Sequence, residues 1–175
     1  MPGSGKSTVG PALAALIGYP FHDLDQFLTD RCSMSIAEQF SQLGEQSFRE
    51  RERDALQHHL VQTGPFVLAT GGGTPIWFDQ MKELLKCTLV VWLDVGVDEL
   101  HRRMMQAPEI RPLIAPQSSN TSTDTARETL KRLQAMHETR YPIYSRAHMQ
   151  VQATGTPGEI AQQIAQKFNI KQNSN

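Results

Sequence analysis

The sequence predicts an α/β fold, a parallel sheet covered by helices on both faces. Three observations predict it. Short apolar runs of strand character alternate with segments of helical periodicity along the chain, the order that builds parallel sheets. The opening residues, MPGSGKSTVG, carry glycines, a lysine and hydroxyls where a phosphate-binding turn would lead into a helix. Three of the strand-like runs end in acids or glycines, and in parallel sheets ligands gather at the carboxyl ends of strands.

Taken in order, residues 7–17 read as a helix, with Val9, Ala12, Leu13, Leu16 and Ile17 near helical spacing and Gly18 as a stop. Residues 19–23 are a short strand ending in acids, and Asp23-Leu24-Asp25 is read as extended. The spacing predicts helices over 35–43 and 45–62, separated by Gly44. Residues 66–70 are a buried strand that runs straight into Gly71-Gly72-Gly73. A helix follows over 78–85, then the strongest strand of the chain over 89–94, ending in Asp94. These strand ends are expected near the phosphate loop. A helix over 98–106 precedes a polar loop over 115–125, which has no periodicity. A long helix over 126–139, a last strand over 149–153 and a last helix over 157–168 complete the order, with 171–175 expected to be frayed. One domain over 1–170 accounts for all of this, with a lid at about 108–125.

Composition narrows the function. There are 17 Lys and Arg against 18 Asp and Glu, so bulk charge predicts no nucleic-acid or membrane partner. No apolar run reaches the roughly 20 residues that span a bilayer, and no leader-like segment is read ahead of the loop. Cys32 and Cys87 have neither metal nor redox spacing and are read as buried free thiols. The expectation is a soluble, cytoplasmic, monomeric protein acting on a small molecule. The six histidines show no metal-like pattern and are read as structural or exposed.

Gly3-Ser4-Gly5-Lys6-Ser7-Thr8 has a specific physical task. Glycines let backbone N–H groups wrap a phosphate, and the following helix adds its positive end. Lys6 would reach the outer phosphates of a nucleotide, and the Ser7 hydroxyl would hold Mg²⁺. The loop implies a nucleotide and Mg²⁺ but no particular acceptor. Asp23 and Asp25, if extended, point to one side, one towards a metal through water and the other towards an acceptor hydroxyl. The plainer reading of this pair is a helix N-cap. Arg49 lies in the charged run FRERERD. It is either part of a solvated face or, with Glu52, a held guanidinium suited to a carboxylate. Gly71, Gly72 and Gly73 suit a close approach of ligand to backbone, or a plain turn. Arg111 begins the lid and is placed to cover phosphates, or is a surface residue. Arg140 ends the long helix as a dipole-complementing cation, or as a second fork for an anionic acceptor.

Together the stretches GSGKSTVG, FHDLDQ, MSIAEQF, GEQSFRERE, LATGGG, VVWLD, RPLI and RYPIYSRA resemble the shikimate kinases, in that order and over nearly the whole chain. The resemblance implies a P-loop kinase three-layer sandwich with a five-stranded parallel sheet. It implies transfer of phosphate from ATP to the 3-hydroxyl of shikimate, on the route to chorismate and the aromatic amino acids. By this resemblance Lys6 and Ser7 match the phosphate and Mg²⁺ positions, and Asp23 the acid that holds the metal through water. Asp25 matches the acid on the acceptor hydroxyls, and Arg49 and Arg140 the two arginines on the carboxylate. Gly71, Gly72 and Gly73 match the glycines beside the ring, and Arg111 the arginine at the start of the lid. Residues 154–157 match the adenine-packing stretch loosely.

One departure sets a further expectation. The full loop pattern is Gly-x-x-x-x-Gly-Lys-Ser/Thr, and its first glycine would fall just before Met1. The family's first, central strand is then absent. Two inner strand edges should lack ladder partners, and stability should be reduced. Two other functions stay open: a gluconate-type hydroxy-acid kinase, and a non-catalytic nucleotide-binding relative.

Overall fold

A computed structural model describes residues 1–106 and 122–172. The element order is α1 (Lys6–Ile17), β1 (Phe21–Asp23), α2 (Leu24–Cys32), α3 (Ile36–Leu60), β2 (Val67–Ala69), a 3₁₀ turn (Trp77–Asp79) and α4 (Gln80–Cys87). Then come β3 (Val91–Asp94), α5 (Val97–Gln106), α6 (Ser122–Tyr144), β4 (Met149–Gln152) and α7 (Pro157–Gln172). The alternation is the expected one. α7 takes in residues 171 and 172, which were expected to fray. Arg111 and most of the predicted lid lie outside the described residues. Among the described residues no helix is long and apolar enough to cross a membrane.

Local signals explain the helix ends. Gly18 closes α1 in the left-handed region, with its N–H donating to the Ala14 carbonyl. Ser35 and Glu38 form a reciprocal capping box at the start of α3, at 3.2 Å and 2.7 Å. The two helices expected either side of Gly44 form one element kinked there, where φ is 78°.

The sheet consists of two parallel pairs. β1 pairs with β2, from Phe21 opposite Val67 to Asp23 opposite Ala69. β3 pairs with β4, from Val91 opposite Met149 to Asp94 opposite Gln152. Among the described residues no ladder joins the pairs. Between them lies a cavity of 540 Å³, lined by Leu68 and Ala69 of β2, Trp92 and Leu93 of β3, Leu13 of α1 and Phe168 of α7. Among the described residues the edges of β2 and β3 that face this cavity carry no ladder.

Two apolar clusters hold the layers. Val9, Trp92, Leu100, Leu133, Val151 and Ile164 pack α1, α5, α6 and α7 onto β3 and β4. Leu24, Leu28, Phe48, Leu56 and Leu84 pack α2, α3 and α4 together. Val90 touches both clusters. Neither cysteine is buried: Cys32 is half-buried and Cys87 exposed, correcting the sequence expectation.

Candidate active site

The loop before α1 turns on Gly3 and Gly5, with φ of 74° and 92°, a region that side chains with a Cβ avoid. Gly5 is the N-cap of α1, and no side chain caps that helix end. The carbonyl of Gly5 accepts from Thr8 and Val9 N–H at 3.1 Å and 2.8 Å. The first N–H groups of the helix thus meet no side-chain acceptor, which is how an anion cradle is built. Lys6 Nζ folds over the loop, donating to the Met1 carbonyl at 3.0 Å and Ser4 Oγ at 3.3 Å. Ser4 is buried and also donates to the Met1 carbonyl, at 2.8 Å, while Ser7 and Thr8 are exposed.

The acidic strand end differs from the expectation. The chain turns helical at Leu24, so Asp23 and Asp25 are not on one extended segment. Asp23 Oδ1 caps α2, accepting from the N–H groups of Asp25 and Gln26 at 3.0 Å and 3.3 Å. The N-cap reading of the pair was the correct one for Asp23. Asp25 sits in the first turn of α2 with its carboxylate towards the triple glycine, where a Cβ on Gly71 would stand 3.0 Å from its Oδ1. Asp94 does not join the site. Its Oδ2 accepts from Gln150 and Gln152 at 2.9 Å and 2.6 Å, tying β3 to β4.

Arg49 is held rather than solvated. It is 2 % exposed, and its Nη1 donates to Glu52 Oε2 at 2.7 Å. Nη2 reaches the more exposed Glu45 at 3.3 Å. The rings of Phe40, Phe48 and Trp77 stand 5.2, 5.2 and 5.7 Å from the guanidinium carbon. Glu52, 1 % exposed, also accepts from Thr74 Oγ1 at 2.6 Å, so one carboxylate fixes both the arginine and the turn after the glycines. Gln80 Nε2 holds the same turn through the Thr74 carbonyl at 3.0 Å.

The triple glycine is a ribbon pressed between charged groups. A Cβ on Gly71 would meet Glu52 Oε1 at 2.6 Å, and one on Gly73 would meet Arg49 Nη1 at 2.5 Å. On Gly72 a Cβ would lie 3.4 Å from Arg140 Nη1. A plain turn makes no such demand; side chains here would displace the functional groups. Arg140 donates to the Gly72 carbonyl at 2.9 Å. Arg49 and Arg140, distant in sequence, thus stand against consecutive glycines, with Asp25 at the ribbon's other end.

Three residues that the sequence did not single out join this region. Arg103 of α5 stands 3.8 Å from the place a Gly5 Cβ would take. Its Nη2 donates to the Ala153 carbonyl at 3.0 Å and its Nε to Glu99 at 2.7 Å. Hydrogen bonds from Arg102 and then Arg103 hold the Glu99 carboxyl down to about 2. An Arg-Arg pair on an amphipathic helix reads as surface charge, so nothing in the pattern marked Arg103. Thr74 follows the glycines unremarked. Tyr144, the last residue of α6, donates a short hydrogen bond to the Gly72 carbonyl. In residues 154–157, Thr156 caps α7 with Glu159 at 2.7 Å and 2.9 Å, a structural duty. The histidines carry no site: His59 is buried against His22, Phe27 and Phe66.

Comparison with known proteins gives a consistent result. A family model described as shikimate kinase matches residues 2–169. A relative named shikimate kinase from Synechococcus sp. (strain RCC307) is 39% identical over 172 residues, 96% of this chain and 80% of the relative. One from Phocaeicola vulgatus is 38% identical over 145 residues, covering 83% of this chain and 78% of the relative. Among solved structures, the shikimate kinase from Acinetobacter baumannii in complex with shikimate is similar at a TM-score of 0.84 and 30% identity, covering 97% of this chain and 89% of that one. The Bacteroides thetaiotaomicron shikimate kinase is similar at 0.84 and 29% identity, covering 96% and 94%.

Proposed function

This chain belongs to the shikimate kinase family, and on that premise we propose that its site phosphorylates the 3-hydroxyl of shikimate with ATP and Mg²⁺. The observation that carries the reading is the pair of arginines against consecutive glycines with one carboxylate beside them. Shikimate offers one carboxylate and three hydroxyls. Arg49 and Arg140 suit the carboxylate, since guanidinium forks pair with planar carboxylates. Asp25 suits a hydroxyl, accepting its hydrogen bond and orienting its oxygen for attack. The glycine ribbon lets the ring lie against backbone.

The residues at the other end fit a nucleotide. The uncapped start of α1 and the Lys6 ammonium fit its phosphates, and Arg103 adds a cation beside Gly5. Bound Mg·ATP supplies the phosphoryl group and neutralises charge during its transfer. Ser7 would hold the metal through its hydroxyl. Asp23, with one oxygen committed to the α2 cap, would reach it through water. A hydroxyl and a carboxylate are few protein ligands, as suits a Mg²⁺ that keeps its waters and binds phosphates. Arg111 is proposed, from its sequence position alone, as the cation of the lid.

The test is ADP release from ATP in the presence of shikimate or of gluconate. Turnover with shikimate alone, abolished in Arg49→Ala, is the expected result. Turnover with gluconate, or full shikimate turnover in Arg49→Ala, would overturn the acceptor assignment.

A further inference from the structure

Arg140 and Tyr144 stand four residues apart on α6, on one helix face. Both donate to a single acceptor, the Gly72 carbonyl. Their settings differ. The Tyr144 ring is 5 % exposed and belongs to the core cluster, tilted against Trp92 of β3 with centroids 6.0 Å apart. Its Oη also accepts from the Met1 amino group at 3.3 Å. Burial pushes the phenol up from its ordinary value, so the hydroxyl keeps its proton and stays a donor. Arg140 is half-buried, on a longer side chain with more torsions.

We propose that Tyr144 is a positioning residue for the acceptor, the fixed donor on the Gly72 carbonyl that leaves Arg140 free to turn to an anionic ligand. The physical need is specific. Gly72 is half-buried, and a carbonyl partly shielded from water that loses its only donor carries a desolvation cost. With two donors, one can be withdrawn without that cost. Gly72 lies between Gly71, pressed on Glu52 and Asp25, and Gly73, pressed on Arg49. A shift of its carbonyl would move every group proposed to meet the acceptor. The inference rests on the proposed function, because it requires an anion at Arg140.

Tyr144→Phe removes the hydroxyl and keeps the ring. In that variant Arg140 is the donor left to hold the carbonyl. The expected result is shikimate binding weakened about fivefold, the scale of one hydrogen bond, with kcat and the KM for ATP unchanged. Arg140→Ala should then weaken shikimate binding about fivefold less in the Tyr144→Phe background than in the parent. Equal shikimate affinity, a parallel rise in both KM values, or additive effects of the two substitutions would each overturn the inference. A parent that binds no shikimate removes the premise; a parent that binds it beside an unaffected Tyr144→Phe variant refutes this inference alone. Should the variant fold poorly, side-chain NMR on the parent decides. Shikimate must then shift the Arg140 guanidinium signals, and signals that stay in place refute it.

Discussion

Replacing Glu52 by glutamine keeps the shape of the side chain and leaves an oxygen for Thr74, but deletes the charge facing Arg49. Arg49 cannot respond by losing its proton. It is 2 % exposed, its Nε has no partner among the described residues, and its other carboxylate, Glu45, is 43 % exposed at 3.3 Å. Removing one member of a buried pair leaves an uncompensated charge, which costs about 3 kcal/mol, the lower end of the usual range because Glu45 remains. For a chain of this size that is a fall in Tm of roughly 6–12 °C. Urea unfolding of the parent, Glu52→Gln, Arg49→Met and the double variant measures it. The double variant should recover much of the loss, since a buried pair replaced on both sides is often near neutral. A Glu52→Gln stability within about 0.5 kcal/mol of the parent, the usual scatter for surface changes, would refute the claim that this ion pair is desolvated and holds the site.

Two further outcomes follow from the same geometry. Gly73→Ala puts a methyl 2.5 Å from Arg49 Nη1, so the KM for shikimate should rise at least about tenfold, the scale of a misplaced positioning group, while ATP binding measured by calorimetry stays as in the parent. His59 has its pKa lowered, by burial first and then by His22 and His58. The folded chain resists a proton that the unfolded chain accepts, so stability is full above the ordinary histidine value and falls as pH drops below it. The urea midpoint should decrease between pH 7.5 and 5.5 in the parent, and decrease less in His59→Phe.

The phosphate loop was legible because its chemistry is local: glycines, a lysine and a helix start lie within a few residues. The triple glycine reads as suited to a ligand's approach; what the structure places against it are Glu52, Arg49 and Arg140. The resemblance gathers the two arginines at one site with it, but periodicity alone does not bring these residues together, because they reach it through tertiary packing. The run FRERERD shows the difficulty. Its charges look alike in sequence, yet Arg49 and Glu52 are buried while Glu50 and Arg51 are exposed, and only the packing of α3 against the ribbon separates them. Asp23 and Asp25 misled because strand and helix meet between them without a loop, so alternation fails after a single residue. Strand positions were readable from apolar runs. Pairings were not, because parallel partners such as Phe21 and Val67 are distant along the chain. Tyr144 was hidden for the same reason: its partner, Gly72, is 72 residues away.

The cavity between the strand pairs has a consequence for the backbone on either side. Its 540 Å³ is open to solvent as well as to the strands that flank it. The edges of β2 and β3 that face it can therefore meet their hydrogen-bonding needs with water instead of a ladder. The halves on either side keep their own ladders and their own apolar clusters. What spans the gap among the described residues is α1, which packs on β1, β2 and α7, and Val90, which touches both clusters, so the halves are joined by side-chain packing and not by strand hydrogen bonds.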